Sequence, residues 1–281
     1  MNRDPAEFIP PMLGVTAKAP FDSEDWWFEV KWDGFRAIIS NVREFKMFSR
    51  RGDNLLKWFP DLAQLSEILP RGTVVDGEVV AWDNGGPSFT ALQSRWPVPH
   101  VAIAFDCLFS EGQWHLHEPF HRRREYLENL PIQAHSALVV SQGVTGHGID
   151  LFRAARAAQL EGVMAKLHSS RYWPGKRVEY WQKFLSMRRD WFFVSRIAKL
   201  STGHWQWGLA EDPDGPLVSK VMAPADWNLE PLGGNLRALR VEVEYRERTK
   251  GGRLRHARIR RWRSDGVEGN HGEAPQPDLL S

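Results

Sequence analysis

The stretch Glu29-Val-Lys-Trp-Asp-Gly-Phe-Arg36 places an amine, two carboxylates and a guanidinium within eight residues. The segment from Trp27 to Lys31 has the composition of a β-strand. Side chains alternate between the two faces of a strand, so Glu29 and Lys31 should point to the same side. Lys31 is the candidate nucleophile, because a neutral lysine amine attacks phosphorus well and neighbouring cations favour the neutral form. The stretch therefore predicts a pocket that receives both side chains.

A purely structural interpretation of the same stretch is also open. Asp33-Gly34 lies between two apolar runs, and Asp-Gly in that setting is a common signal for a hairpin turn. The pattern by itself favours neither interpretation. Further residues elsewhere in the chain are needed to distinguish the two interpretations.

Composition is that of an ordinary folded protein. The chain has 281 residues, 42% of them hydrophobic, a formal net charge of +2 and a single cysteine, Cys107. One cysteine excludes an intramolecular disulfide and a multi-cysteine zinc site. The first residues lack the apolar core of a signal peptide, and no apolar run is long enough to span a bilayer. We expect a soluble cytoplasmic protein, associated with the nucleoid.

Short strands dominate the first part of the chain. Runs of β-branched and aromatic residues separated by Gly, Asp and Asn predict strands at 37–39, 46–49, 73–75, 78–82 and 101–105. Leucines at helical spacing predict a helix over 60–69, and further helices are expected over 122–130 and 150–160, the last with Asp150 as N-cap. The pattern indicates an α+β fold, with antiparallel sheets flanked by helices.

A boundary is expected near the charged stretch Ser186-Met-Arg-Arg-Asp190. Beyond it the chain is almost all strand and turn, including the strictly alternating Val241-Glu-Val-Glu-Tyr245, which is typical of a small antiparallel barrel. We therefore predict a first domain over 1–187, an OB-fold barrel over 188–267, and a flexible tail over 268–281.

Five further segments follow the opening stretch in a fixed order: Ser49-Arg50-Arg51-Gly52, Asp76-Gly77-Glu78, Phe105-Asp106, Glu161-Gly-Val-Met-Ala-Lys166 and Trp181-Gln-Lys183. With Lys31 to Arg36 as a K-x-D-G-x-R signature, they resemble the ATP-dependent DNA ligases of the covalent nucleotidyltransferase superfamily, particularly the bacterial end-joining type. The resemblance covers most of residues 10–265. It implies an adenylation (nucleotidyltransferase) domain followed by an OB-fold domain.

The resemblance also implies roles for individual residues. Lys31 would attack the α-phosphorus of ATP and hold AMP through a phosphoramidate bond. Glu161 would bind Mg²⁺ or Mn²⁺, because these ions prefer carboxylate oxygens. Glu29 would contact the adenine edge, Phe105 would stack on the adenine face, and Glu78 would bind the ribose. Arg36 would contact the nucleotide, Lys183 the α-phosphate, and Arg50 the phosphate at the nick.

Basic charge is concentrated near the C-terminus, with nine Lys or Arg against three Glu between Val241 and Arg263. The end of this run resembles the last ligase motif, in which an arginine orients the departing pyrophosphate. Arg258, Arg261 and Arg263 lie nearest to that position. A basic strand also suits the DNA backbone, although a solvated strand face would produce the same pattern.

The sequence departs from the family pattern at one lysine. The usual W-x-K-x-K reads Trp181-Gln-Lys183-Phe-Leu185 here, so a second phosphate-contacting lysine is missing. Lys176, Arg177 or another basic group could supply the charge.

The resemblance implies an enzyme that seals nicks in duplex DNA, acting as a monomer, alone or with end-joining repair proteins. ATP is favoured over NAD, because few residues precede Lys31 and the chain has no cysteine cluster for a zinc module. The alternatives are an RNA ligase, a capping-type guanylyltransferase that uses GTP, and a non-catalytic OB-type DNA-binding protein.

Overall fold

The computed structural model describes residues 4–83, 85–93, 98–132, 137–223, 238–249, 251–264 and 267–270, the last range by its backbone only. Contacts between Cα atoms divide the chain into two compact units, Met1–Ser186 and Met187–Ser281. The predicted domain boundary lies one residue further on. No helix among the described residues is long and apolar enough to cross a membrane.

Two sheets form the first unit. The strands of the five-stranded sheet, in spatial order, are β1 (Leu13–Thr16), β12 (Arg177–Leu185), β11 (Gly162–Leu167), β2 (Trp26–Val30) and β10 (Gly143–Thr145). The path of the second sheet runs β4 (Phe45–Ser49), β3 (Phe35–Asn41), β5 (Val74–Asp83), β7 (His100–Ser110) and β8 (Gln113–Trp114), while β6 (Gly86–Pro87) pairs with β5 and β9 (Leu138–Val140) with β7. Pairing is antiparallel except for β1 with β12 and β7 with β9.

The helices of the first unit are short. The 3₁₀-helices Leu55–Lys57 and Pro60–Gln64 lead into α1 (Leu65–Ile68), and α2 (Phe89–Gln93), α3 (Phe120–Glu128) and α4 (Gly148–Ala157) follow. The expectation of Asp150 as an N-cap is wrong, because α4 begins two residues earlier and its N-cap is His147. Asp22 reaches this helix end instead, and its carboxylate accepts a hydrogen bond from the Ile149 amide.

Hydrophobic side chains cover both faces of the sheets. One core packs sheet residues such as Ile39 and Val79 against leucines of the 55–69 segment. A second core contains Ile38 and Phe105 of the seven-stranded sheet together with Trp181 of the five-stranded one, so the two sheets pack on each other there. Side chains at the ends of those strands can therefore reach a common space.

The Asp76-Gly77 pair does not separate two strands as the sequence suggested. Both residues lie inside β5, where the register against β7 shifts by a bulge. A Cβ on Gly77 would lie 2.6 Å from the carbonyl oxygen of Ile103, so the close approach of β7 requires glycine there. The bulge leaves Asp76 fully buried and Glu78 partly exposed.

The second unit is a six-stranded antiparallel sheet. Its strands, in spatial order, are β15 (Ser219–Met222), β14 (Trp205–Ala210), β13 (Arg188–Lys199), β16 (Arg240–Tyr245), β17 (Arg258–Ser264) and β18 (Val267–Asn270). A separate core around Trp207, Val241 and Trp262 fills this unit. Strand β18 pairs with β17 and occupies residues 268–270, the start of the predicted tail. The rest of that tail lies outside the described residues.

Candidate active site

A cavity in the first unit opens between the two sheets. Its wall contains seven of the residues singled out from the sequence: Glu29, Lys31, Arg36, Arg50, Glu78, Phe105 and Lys183. Eight further residues complete it: Leu13, Gly14, Val30, Trp32, Met164, Lys166, Arg177 and Trp181. The segments that are far apart in sequence therefore meet in one place.

Lys31 follows the last residue of β2, and its backbone amide is held by the carbonyl of Gly162 at 2.9 Å. The hairpin interpretation of Asp33-Gly34 is wrong, because β2 and β3 belong to different sheets. The segment between them is a crossing from one sheet to the other. A Cβ on Gly34 would lie 2.0 Å from the carbonyl oxygen of Val79, so glycine is needed for the crossing to pass close to β5. This crossing places Lys31 at the mouth of the cavity.

The ammonium of Lys31 forms an ion pair with Glu161, with 2.6 Å between Nζ and Oε1. The Glu161 side chain is 5% exposed. The next residue, Gly162, has φ 148°, and a Cβ there would lie 1.9 Å from the Phe184 carbonyl oxygen. Because the backbone is pressed against β12, the Glu161 carboxylate has a fixed place beside Lys31.

The donor set at Glu161 fits a magnesium ion that is shared with a ligand. Among the described residues there is no group of three or more His, Cys, Asp or Glu side chains that could hold a metal by themselves. Mg²⁺ is commonly bound by one or two carboxylates, with water and substrate phosphates filling its other positions. Glu161 suits that arrangement, and Glu78 is near enough that the charge of Glu161 affects its titration.

Glu29 and Lys166 form a buried ion pair in the cavity wall. The Lys166 Nζ lies 2.5 Å from Glu29 Oε1, and the two side chains are 1% and 2% exposed. The same ammonium donates to the Phe105 carbonyl at 3.2 Å, while the indole N–H of Trp27 donates to Glu29 Oε2 at 3.2 Å. Both carboxylate oxygens of Glu29 are thus held in place.

Lys166 ends the motif that begins at Glu161, but no role was expected for it from the sequence. Burial lowers the pKa of Lys166, against the opposing effect of Glu29. The sequence did contain a signal for Lys166. Residues two positions apart on a strand point to the same face, so Met164 and Lys166 of β11 share one. What the alternation could not supply is the register, which places Trp27 opposite Lys166 and Glu29 opposite Met164.

Arg36 is committed to a neighbouring carboxylate. Its Nε and Nη2 donate to the two oxygens of Asp76 at 2.5 and 2.6 Å, and Nη2 also donates to the Met12 carbonyl. Burial is the largest single effect and opposes the charge, but Asp76, Tyr172 and Glu78 together raise the pKa of Arg36. The guanidinium carbon lies 4.7 Å from the centre of the Phe105 ring. Arg36 therefore supports the aromatic wall and carries a charge that is already compensated.

The Phe105 ring is in contact with two cations, Arg36 and Lys166. The Lys166 Nζ lies 4.2 Å from the ring centre, and the Trp181 ring packs edge-to-face with Phe105, with 6.1 Å between ring centroids. Electrostatic attraction to the ring face contributes roughly 0.5–2 kcal/mol per cation. These contacts hold the ring in the cavity wall.

Burial raises the pKa of Glu78 to about 7, while Lys31 and Arg36 act in the opposite direction. The carboxyl group therefore changes its charge near neutral pH. In its protonated form it can donate a hydrogen bond as well as accept one.

The cations Arg50 and Lys183 also line the cavity. Burial lowers the pKa of Lys183, and the positive charges of Lys31 and Arg177 lower it further. Leu185 pairs its backbone with Gly162 and does not belong to the cavity wall. Leu185 therefore supplies no charge to the cavity.

The three C-terminal arginines lie together on β17 in the second unit. Arg261 is held by both oxygens of Glu242, at 3.0 and 2.8 Å, and Arg263 lies over Trp191, with 4.3 Å between the guanidinium carbon and the ring centre. Arg258 is exposed. The structure therefore brings these arginines to one strand but gives each a different environment.

Comparison with known proteins gives this geometry a family context. The family model of the ATP dependent DNA ligase domain matches residues 11–184. The SPbeta prophage-derived DNA ligase-like protein LigB of Bacillus subtilis (strain 168) is 33% identical over 186 residues, which are 64% of this chain and 68% of LigB. The multifunctional non-homologous end joining protein LigD of Mycolicibacterium smegmatis is 33% identical over 65% of this chain, but only 24% of LigD is covered.

Solved structures agree with these sequence relatives. The ligase domain of LigD from M. tuberculosis has 26% identity and a TM-score of 0.60, with 97% of this chain and 98% of that chain covered. A mycobacterial DNA ligase D complexed with ATP and MES has 25% identity, the same TM-score and the same coverage. A Lig E DNA ligase matches in fold, with 17% identity over 88% of this chain and 99% of that one, and a TM-score of 0.62. The expected fold class, an α+β adenylation domain followed by an OB-fold, is confirmed.

Proposed function

The chain belongs to the family of ATP-dependent DNA ligases, and from this membership we propose that it seals nicks between a 5′-phosphate and a 3′-hydroxyl in duplex DNA. The observation that supports the proposal best is the position of Lys31. Its amine lies in a cavity with a buried Glu29–Lys166 pair, an aromatic wall at Phe105 and further cations. A nucleotide with its phosphates near Lys31 matches that distribution of groups.

The first step forms a covalent adenylate. The Lys31 Nζ attacks the α-phosphorus of ATP, a P–N bond forms, the bond to the β-phosphate oxygen breaks, and pyrophosphate leaves with its electron pair. The Lys31 ammonium loses one proton to solvent before the attack and a second after the P–N bond forms, and Glu161, whose Oε1 lies 2.6 Å from Nζ, is placed to accept a hydrogen bond from the amine. Magnesium bound at Glu161 would neutralise charge on the phosphate oxygens.

The chain's own cations stabilise the charge that develops during this step. Phosphoryl transfer needs positioning and electrostatic stabilisation more than acid or base strength. Lys183 and Arg50 line the same cavity as Lys31 and form no ion pair among the described residues. They are suited to hold the phosphates in line with Nζ.

In the second step the 5′-phosphate of the nick attacks the phosphorus of the adenylate, which releases Lys31 and leaves AMP on the DNA. In the third, the 3′-hydroxyl attacks the 5′-phosphorus and AMP departs. The exposed Arg258 and the stacked Arg263 of β17 are candidates for contact with phosphates during the cycle. Such contacts would bind mainly through charge.

Self-adenylation tests the proposal directly. The protein is incubated with Mg²⁺ and α-labelled ATP, then separated under denaturing conditions. We expect acid-labile label on the protein, absent from Lys31→Ala and retained in Lys46→Ala, whose side chain is 43% exposed. Addition of nicked duplex DNA should discharge the label.

Each alternative function predicts a different result. Label from GTP alone would indicate a capping-type guanylyltransferase, and no label from either nucleotide would favour a non-catalytic DNA-binding protein. Discharge by nicked RNA but not by nicked DNA would indicate an RNA ligase. A role beside end-joining repair proteins and a monomeric state are further proposals, which pull-down and light-scattering experiments can test.

A further inference from the structure

The cations of the cavity divide into two groups by their partners. Three have a carboxylate partner: Lys31 pairs with Glu161, Lys166 with Glu29, and Arg36 with Asp76. Three others form no ion pair within the described part of the chain: Arg50, Arg177 and Lys183. Positive charge that the protein does not compensate is the feature that an anionic ligand would satisfy.

Arg177 is the member of the second group that the family resemblance does not assign. It opens β12, the strand that also carries Lys183, and its Nη1 donates to the Gly14 carbonyl at 2.5 Å. A Cβ on Gly14 would lie 2.7 Å from the Trp181 carbonyl oxygen, so β1 passes close to β12 with no side chain between them. The hydrogen bond fixes one edge of the guanidinium and leaves its other N–H groups for a ligand.

The pKa of Lys183 indicates that Lys183, Lys31 and Arg177 are close enough to repel one another. After burial, the charges of Lys31 and Arg177 are the largest causes that lower the pKa of Lys183. Mutual repulsion among these cations is relieved when phosphate oxygens enter between them. Lys176 and Arg177 are both exposed, but only Arg177 belongs to the cavity wall.

We propose that Arg177 binds the phosphate chain of the nucleotide, and so supplies positive charge that Leu185 does not. This inference rests on the proposed function, because it takes a nucleoside triphosphate as the ligand. Arginine suits the task because its planar fork can hold two phosphate oxygens at once.

A structural role would produce part of the same phenotype. Arg177 could act only as a clamp that holds β1 against β12 through the Gly14 carbonyl. Loss of a clamp would distort the cavity for every ligand, whereas loss of a phosphate contact would weaken only ligands that carry phosphates. Comparison of ATP with adenosine therefore separates the two roles.

The test measures equilibrium binding of ATP and of adenosine by calorimetry, in EDTA so that no transfer occurs. Arg177→Gln should weaken ATP binding about tenfold or more, with a change below about twofold for adenosine, because charge-assisted hydrogen bonds are lost. Arg177→Lys should retain part of the affinity. Arg171→Gln is the matched control, since Arg171 is exposed on the same unit and does not line the cavity.

Three results would overturn the inference: equal weakening of ATP and adenosine, unchanged ATP affinity in Arg177→Gln, or the same loss in Arg171→Gln. Failure of the proposed function gives a distinct result. If wild-type protein binds ATP but never becomes labelled, ligase chemistry fails while the role of Arg177 in binding is still decided by the variants. If the wild-type protein does not bind ATP, both are wrong.

Discussion

Removal of one partner from the Glu29–Lys166 ion pair should strongly destabilise the first unit, because the other charge would remain buried. Both side chains are almost fully buried, and 2.5 Å separates Nζ from Oε1. Replacing Lys166 by methionine keeps a long apolar side chain but leaves the Glu29 carboxylate with the Trp27 N–H as its remaining partner among the contacts described. An uncompensated buried charge costs about 3–5 kcal/mol.

The thermal shift follows from the size of the unit. For a unit of 186 residues, each kcal/mol lowers the Tm by roughly 2–4 °C, so Lys166→Met should lower it by about 10 °C. The double variant Glu29→Gln with Lys166→Met removes both charges. It should regain a large part of the lost stability, because no uncompensated charge remains buried. Circular dichroism against temperature and urea measures both changes.

The exposed pair of Lys46 and Glu44 gives a matched control. Its charges are 3.9 Å apart and its side chains are 43% and 81% exposed, so Lys46→Met should cost below about 1 kcal/mol. If Lys166→Met were no more destabilising than Lys46→Met, the pair would not have the energetic role that its burial indicates. A double variant less stable than Lys166→Met alone would contradict the charge argument itself.

Three further predictions concern pH, phosphate contact and salt. Burial raises the pKa of Glu78 from its ordinary 4.5 to about 7, so the folded state keeps a proton that the unfolded state loses, and the free energy of unfolding should fall as pH rises through that window. Glu78→Gln should abolish this slope in urea unfolding, and an unchanged slope would assign it to another group. Leu185→Lys should speed single-turnover adenylation, with a larger gain in Arg177→Gln; equal rates would show that the added lysine meets no phosphate. Rising salt should inhibit nick sealing more than self-adenylation, since only sealing depends on the DNA phosphates, and parallel inhibition would argue against that dependence.

The strands could be predicted because alternation and turn residues are local signals, and the companions of Lys31 could be named because their order along the chain is read directly from the sequence. Strand alternation placed Glu29 and Lys31 on one face, and both line the cavity. The hairpin interpretation failed for a reason that no local pattern contains. Asp-Gly is compatible with many tight connections, and only the pairing partners of β2 and β3 show that the chain crosses between sheets there.

Contacts between residues far apart in the chain could not be predicted from the sequence. The Phe105-Asp106 motif illustrates this, since Asp106 forms a fully buried ion pair with Arg123 of α3, with 2.8 Å between Oδ1 and Nε. Nothing in the spacing of these residues signals that contact. The same holds for Tyr172, whose hydroxyl donates to the carboxylate that fixes Arg36.

The sequence alone determined the chemistry available to this protein: an amine at Lys31, carboxylates at Glu78 and Glu161, and an ordered set of cations. Those features are covalent properties of the side chains and of their order along the chain. Only the tertiary structure decided which charges are compensated. Strand register and sheet packing bring Asp76 to Arg36 and Glu29 to Lys166, while Arg50, Arg177 and Lys183 line the cavity and form no ion pair among the described residues. Because Coulomb energy depends on distance and burial, this assignment follows from the fold and not from the sequence.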